Sequence, residues 1–144
     1  LGRIDFFLAE TGRALREQKV FADAAGKMEE RIGHEPLGVI ANISAWNYPY
    51  FVGGNVFVPA LAAGNAVLYK PSEYATLTGR HIADLLHEAG VPADVFVLVE
   101  GDGKTGTALL RQPVDGVFFT GSYATGAKIA ASSMISWRTV TTLM

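Results

Sequence analysis

From Leu37 onward short apolar runs of strand length alternate with helical stretches across short loops, without any internal sequence repeat, and this rhythm constrains the fold more than any other feature. Leu37–Ile43 is nearly all apolar, as expected for a strand covered on both faces of a sheet. A helix is expected over Pro49–Ala63, with proline in its first turn and Gly64-Asn65 after its end. Pro59 inside it should kink it or mark a boundary. A strand over Ala66–Tyr69, a helix over Thr76–Ala89 closed by Gly90 and Pro92, and a strand over Val95–Val99 follow. Then come a short helix over Gly103–Arg111, a strand over Gly116–Phe119 and a helix from Tyr123 to about Met134. Val140–Met144 reads as the start of another strand. Such alternation implies an α/β fold, a doubly wound, parallel, Rossmann-like sheet. In open sheets of this kind ligands bind outside the C-terminal ends of the strands.

The first third is different. Leu1 to about Val20 carries Ile4, Phe7, Leu8 and Leu15 among charges, which predicts an amphipathic helix weakened by Gly12. Phe21–Gly33 is polar and mixed, with Gly26 as a turn, and fits a hairpin or an extended arm. The expected division is therefore a helix and arm over 1–34 and an α/β domain over 35–144.

Composition removes several function classes. The net charge is −2, which offers nucleic acid no basic field. No apolar run reaches the ~20 residues of a membrane helix, and no signal peptide is visible. There are no cysteines, hence no disulfide, no thiolate metal site and no cysteine nucleophile within this sequence. His34, His81 and His87 are scattered and unsuited to joint metal ligation. A cytoplasmic location fits this composition. The leading Leu1 and the apolar end at Met144 lead us to expect a piece of a longer protein.

Four runs at expected strand ends carry chemistry. In Ile43-Ser44-Ala45-Trp46-Asn47-Tyr48-Pro49 an apolar strand delivers an amide to the rim of the sheet, where it can donate to an oxyanion. The plain structural reading is a turn-forming Asn before a helix-starting Pro, with Trp46 in the core. In Lys70-Pro71-Ser72-Glu73 an ammonium and a carboxylate three residues apart can grip a diol from two sides, which suits ribose hydroxyls. Alternatively, or in addition, Ser72 caps the next helix and Glu73 favours its positive end. Gly101-Asp102-Gly103-Lys104-Thr105-Gly106 matches a dinucleotide fingerprint between strand and helix, although the acidic residue expected further on is absent. A P-loop is rejected because Leu98 stands where its first glycine belongs. In Phe119-Thr120-Gly121-Ser122 a strand runs into a helix whose first amides, with the Ser122 hydroxyl, suit a pyrophosphate. There the plain reading makes Ser122 an N-cap only.

Taken in order, these runs, with Ala89-Gly90-Val91-Pro92, resemble the coenzyme-binding domain of NAD(P)-dependent aldehyde dehydrogenases from Glu35 to about Ile129. The resemblance implies that Asn47 is catalytic, donating its side-chain amide to the oxyanion formed when a cysteine attacks an aldehyde. It implies that Ile43, Ser44, Ala45 and Trp46 line the coenzyme cleft. Lys70, Ser72 and Glu73 then belong to the adenosine-ribose site, Gly103 lies near the adenosine, and Phe119, Thr120, Gly121, Ser122 and Thr125 lie along the pyrophosphate side. The Glu73 carboxylate repels a 2′-phosphate, so NAD is expected in preference to NADP. Thr125 replaces a customary aliphatic residue and Ala124 a common acid, and the stretch between Gly103 and Phe119 is slightly short.

The family's general-base run, E-L-G-G-K, would begin after Met144, and its nucleophilic cysteine lies beyond. This sequence alone is therefore expected to be inactive, while a longer chain would take an aldehyde substrate and assemble as a homo-oligomer. Tyr48, Tyr50 and Phe51 face either the substrate tunnel or the core. The alternatives are a nucleotide-binding or assembly module without chemistry, and an unrelated doubly wound domain for another nucleotide.

Overall fold

The computed structural model describes residues 2–133 and 139–143. A helix, α1 (Gly2–Ala14), leads into an antiparallel hairpin of β1 (Gln18–Ala22) and β2 (Glu29–Ile32). The α/β part follows: β3 (Val39–Ile43), α2 (Pro49–Ala62), β4 (Ala66–Lys70), a 3₁₀ turn (Glu73–Ala75), α3 (Thr76–Glu88), β5 (Phe96–Leu98), α4 (Gly103–Leu109), β6 (Gly116–Thr120), α5 (Tyr123–Ser133) and β7 (Thr139–Leu143). The five later strands form a parallel sheet in the order β5-β4-β3-β6-β7. The chain runs outward from β3 to β5, then returns past β3 to lay down β6 and β7. Strand order thus reverses at β3/β6, and in open sheets the C-terminal edge at such a reversal is where ligands bind.

Period-two alternation sorts the strand residues onto two cores. Ile40, Val67, Tyr69 and Phe96 pack with Val56 and Phe57 of α2 and Ile82 and Ala83 of α3. Ala41, Val117 and Phe119 pack on the other face with Leu109, Val114 and Ile129. Phe57 sits at the centre of the first core, edge-to-face with Tyr69 at 5.4 Å and with Phe96 at 5.3 Å. Asn42 is buried on the central strand, and its side-chain amide donates to the Gly53 carbonyl of α2 at 3.1 Å.

Two expectations are corrected. The first helix ends at Ala14, not near Val20, and residues 18–22 are a strand. Val20 and Phe21 favour extended backbone. The Asp23 carboxylate accepts from the Lys27 and Met28 amides and folds the hairpin back, with Lys19–Glu29 and Glu17–Arg31 ion pairs alongside. Of the two outcomes expected at Pro59, the boundary does not occur, since α2 runs on to Ala62; Val58, Ala60 and Leu61 pack against the core and hold the turn that lacks one amide donor. Gly64 then turns the chain at φ 85°, with its bare face against Pro36, and Asn65 clamps the corner by donating to the Ala60 carbonyl and accepting from the Gly38 amide. The remaining element ends agree within a residue or two. The boundaries expected at Leu1, Met134 and Met144 lie outside the described residues.

Among the described residues no helix is long and apolar enough to cross a membrane. An apolar groove of about 740 Å³ opens between α1, α2 and α3, lined by Ile4, Phe7, Phe51, Leu61 and Leu85 among others.

The Tyr69 and Ser44 hydroxyls are both buried, and neither has a hydrogen-bond partner beyond the other. Burial pushes the Tyr69 phenol up to about 12, and the neighbouring Ser44 hydroxyl opposes that shift. The neutral phenol is thus favoured in the folded state. Tyr69 contributes stability below the unfolded phenol value of about 10, and this is lost as pH climbs towards 12. Tyr69→Phe should stay within about 1 kcal/mol of the parent at neutral pH and lose less stability between pH 9 and 11, read by urea midpoints. An equal alkaline loss in both proteins would contradict this. Phe57→Ala should cost about 3–5 kcal/mol, whereas Leu77→Ala, on an exposed position of α3, should change stability by no more than about 0.5 kcal/mol. Equal unfolding midpoints for the two alanine variants would contradict the packing described above.

Candidate functional site

The ladder on β3 levels the strand tips. Ile43 pairs with Lys70 of β4 on one side and with Phe119 of β6 on the other, and the Ser44 amide donates to the Lys70 carbonyl at 3.0 Å. On the far side of β4, the Val99 amide donates to Tyr69 O at 2.8 Å. The loops bearing Asn47, Ser72-Glu73, Gly101–Gly103 and Gly121-Ser122 therefore all leave the same edge of one sheet. Adjacent strands lie ~4.8 Å apart, so the edge from β4 to β6 spans roughly 10 Å.

Asn47 is exposed between the end of β3 and the start of α2. Tyr48 at the N-cap makes no side-chain capping bond and Pro49 opens the helix. The positive end of a fourteen-residue helix thus begins beside the Asn47 amide, and both favour negative charge at this point. Trp46 is exposed and meets Tyr74 of the 3₁₀ turn edge-to-face at 6.3 Å. That contact ties the β3 loop to the β4 loop.

Lys70 is the unusual group. It is 4% exposed, its ammonium donates to the Pro71 carbonyl at 3.1 Å, and its stem lies under Gly106 of α4. Burial lowers its pKa, while Glu73 first and Asp102 second oppose that fall. A buried ammonium persists only with such partners. Glu73 is exposed, held by one long bond from the Ser72 hydroxyl at 3.4 Å; Ser72 accepts from the Tyr74 amide and so caps the turn as well.

From the end of β6 into α5, Phe119 is buried in the second core, Thr120 and Gly121 are half-buried, and Ser122 and Thr125 are exposed. Ser122 Oγ lies 3.0 Å from the Thr125 hydroxyl and accepts from the Thr125 amide at 3.4 Å, which caps α5. The first amides of this eleven-residue helix lie at the switch point, suited to an anion.

The structure brings Asn47, Trp46, Lys70, Ser72, Glu73, Gly103, Thr120, Gly121, Ser122 and Thr125 to one edge. The side chains of Ser44 and Phe119 turn inward, so these two residues can offer a ligand only main chain; Ile43 and Ala45 are half-buried. Of the two roles open to Ser72 and Ser122, each serves as a cap, which leaves the adjacent amides and Glu73 free for a ligand. Sequence reasoning passed over Asp102 and Tyr74. Asp102 caps α4 by accepting from the Lys104 amide at 2.8 Å and the Thr105 amide at 3.4 Å. A carboxylate thus already occupies the position a phosphate would take in a glycine-fingerprint loop. An Asp placed just ahead of a helical stretch was the available signal. Of the histidines, His87 is 2.9 Å from the Phe96 carbonyl and His81 stacks edge-on against Tyr50. Among the described residues no His, Asp and Glu cluster could hold a metal ion.

Comparison with known proteins gives one consistent picture. A model of the aldehyde dehydrogenase family matches residues 3–143. A betaine aldehyde dehydrogenase of Vibrio vulnificus (strain CMCP6) is 46% identical over 108 residues, 74% of this chain and 22% of that protein. The substrate-bound state of Staphylococcus aureus AldH superposes with a TM-score of 0.88 at 27% identity, over 99% of this chain and 31% of that one. An NAD-dependent aldehyde dehydrogenase from Sinorhizobium meliloti gives 0.88 at 32% identity, over 97% of this chain and 28% of that one. This chain therefore spans less than a third of the length of each of these relatives. With the family model covering nearly the whole sequence and the fold shared across that span, the chain belongs to the aldehyde dehydrogenase family.

Proposed function

We propose that this chain is the coenzyme-binding part of an enzyme that oxidises an aldehyde to a carboxylic acid, and that a nicotinamide dinucleotide lies along the C-terminal edge of its sheet. The observation that carries this reading is the common row Lys70–Ile43–Phe119, which sets three different kinds of polar group at one edge. The donor set fits the coenzyme. The Lys70 ammonium and Glu73 carboxylate match the hydroxyls of the adenosine ribose, one donating and the other accepting. The N-terminus of α5, with Ser122, suits the pyrophosphate. When bound, the coenzyme supplies the hydride acceptor. The name of the Sinorhizobium meliloti relative agrees with NAD in this role.

The residues of this chain do the rest of what concerns us. Asn47, fixed by the end of β3 and by Pro49, donates an amide N–H to the oxygen that becomes negative when a nucleophile adds to the aldehyde. The uncapped start of α2 adds a favourable field at the same place. Lys70 and Glu73 orient the nucleotide, and Glu73 opposes the extra negative charge of a 2′-phosphate. The nucleophilic cysteine and the general-base glutamate are contributed by chain beyond this sequence, which contains no cysteine at all. Tyr48 and Tyr50, exposed on the loop and first turn beside Asn47, border the aldehyde. The whole enzyme works in the cytoplasm as a homo-oligomer.

The isolated chain should bind ADP-ribose yet form no NADH from any aldehyde; aldehyde-dependent NADH formation by a pure sample would overturn the division of labour proposed. In the complete polypeptide, Asn47→Ala should lower kcat by about 10²–10³. A loss of less than about threefold would remove Asn47 from the oxyanion role. Glu73→Gln should narrow the preference for NAD over NADP, measured as the ratio of their dissociation constants; an unaltered ratio would remove Glu73 from the selection.

A further inference from the structure

The loop between β5 and α4 is built with more care than a connection requires. Gly101 adopts φ +141°, and a Cβ there would lie 2.0 Å from the Thr105 hydroxyl. This conformation is open essentially to glycine alone. It turns Asp102 onto the end of α4, where one carboxylate oxygen accepts from the Lys104 and Thr105 amides while the Asp102 carbonyl accepts from Gly106 N at 3.1 Å. Asp102 is exposed at the same edge as Glu73. The Lys70 stem is packed under Gly106, one turn on from Asp102, with the Cε atom 3.6 Å from where a Cβ on that glycine would be. Glu73 and Asp102 both act on its ammonium, from the β4 loop and the α4 loop respectively.

The two carboxylates differ in freedom. Glu73 is held by one 3.4 Å bond and can swing outward. Asp102 is held by two main-chain amides on a loop locked by Gly101, and cannot. Lys70, for its part, is buried with one N–H already donated to the Pro71 carbonyl, which leaves its other two for the ribose hydroxyls rather than for an additional phosphate. Lys70, Glu73 and Asp102 together sum to a formal charge of −1, with Lys104 exposed on the first turn of α4 beside them, before a 2′-phosphate brings close to two more negative charges.

We propose that Asp102 is a second specificity-determining carboxylate of this nucleotide site, a fixed negative charge that rejects a 2′-phosphorylated adenosine ribose. The inference rests on the ribose site proposed above for Lys70 and Glu73. Its division of work is specific: Glu73 accepts from the ribose hydroxyls and adapts to them, whereas Asp102 supplies repulsion that no side-chain rotation relieves.

The competing explanation is that Asp102 does no more than cap α4. Asparagine caps as well as aspartate but carries no charge, so Asp102→Asn separates the two, and Asp102→Ser, also a capping residue, repeats the test should the first variant fold poorly. In the complete polypeptide, dissociation constants for NAD and NADP, and for ADP-ribose and its 2′-phosphate, are measured at low and high salt for the parent, Asp102→Asn, Asp102→Ser and Glu73→Gln. We expect Asp102→Asn and Asp102→Ser to raise the relative affinity for the 2′-phosphorylated ligands roughly three- to tenfold. The gain should shrink in molar salt, where the screening length falls to ~3 Å. A shift in Glu73→Gln without one in the Asp102 variants would overturn this inference alone and leave Asp102 as a cap. No shift in any variant, or a parent that prefers NADP, would overturn the ribose site and this inference with it.

Discussion

The parallel ladder on β3 is the interaction from which the rest follows. It is one set of main-chain hydrogen bonds on each side of a five-residue strand, and it fixes Lys70 and Phe119 level with Ile43. Shifting the register by one residue would turn Ile40 and Ala41 to opposite cores and carry Lys70 off the shared edge. The apolar packing on both faces favours that register over a one-residue slip, because it buries Val67, Tyr69 and Val117 together. Chemistry at the rim is thus a consequence of packing in the middle of the sheet.

The rim is polar in a graded way. Asn42, deep in the sheet, is satisfied by the Gly53 carbonyl and serves to hold α2 against β3. Tyr69 is level with Asn42, and its hydroxyl and that of Ser44, just past the end of β3, are buried with no partner beyond each other, immediately behind the loop that carries Asn47. At the edge itself burial lowers the pKa of a lysine, and two carboxylates oppose that fall. Such unfavourable placements are more readily explained by ligand binding than by folding.

Much of this was legible in the sequence, for physical reasons. From Leu37 onward apolar runs of strand length alternate with capped amphipathic stretches, and the period alone dictates the doubly wound sheet. Four polar runs fell at the ends of those strands, so their convergence followed from topology. The hairpin was harder. Residues 15–22 carry charges and apolar residues at no clean period, and Asp23, which closes the turn, acts through main-chain amides that a pattern does not display. The inward turn of Ser44 needed the partner strand, since it is the neighbouring Tyr69 that marks its side as interior. Asp102 was hidden within a glycine pattern that suggests phosphate binding, although its own carboxylate caps those amides.

The most direct measurement is a titration with ADP-ribose followed through the backbone amide resonances of the folded protein. Residues 44–47, 70–73, 101–106 and 120–125, remote in sequence and shared only by the sheet edge, should shift together along one saturation curve. Shifts confined to a different surface, separate curves for these segments, or no response at millimolar ligand would contradict the shared coenzyme edge.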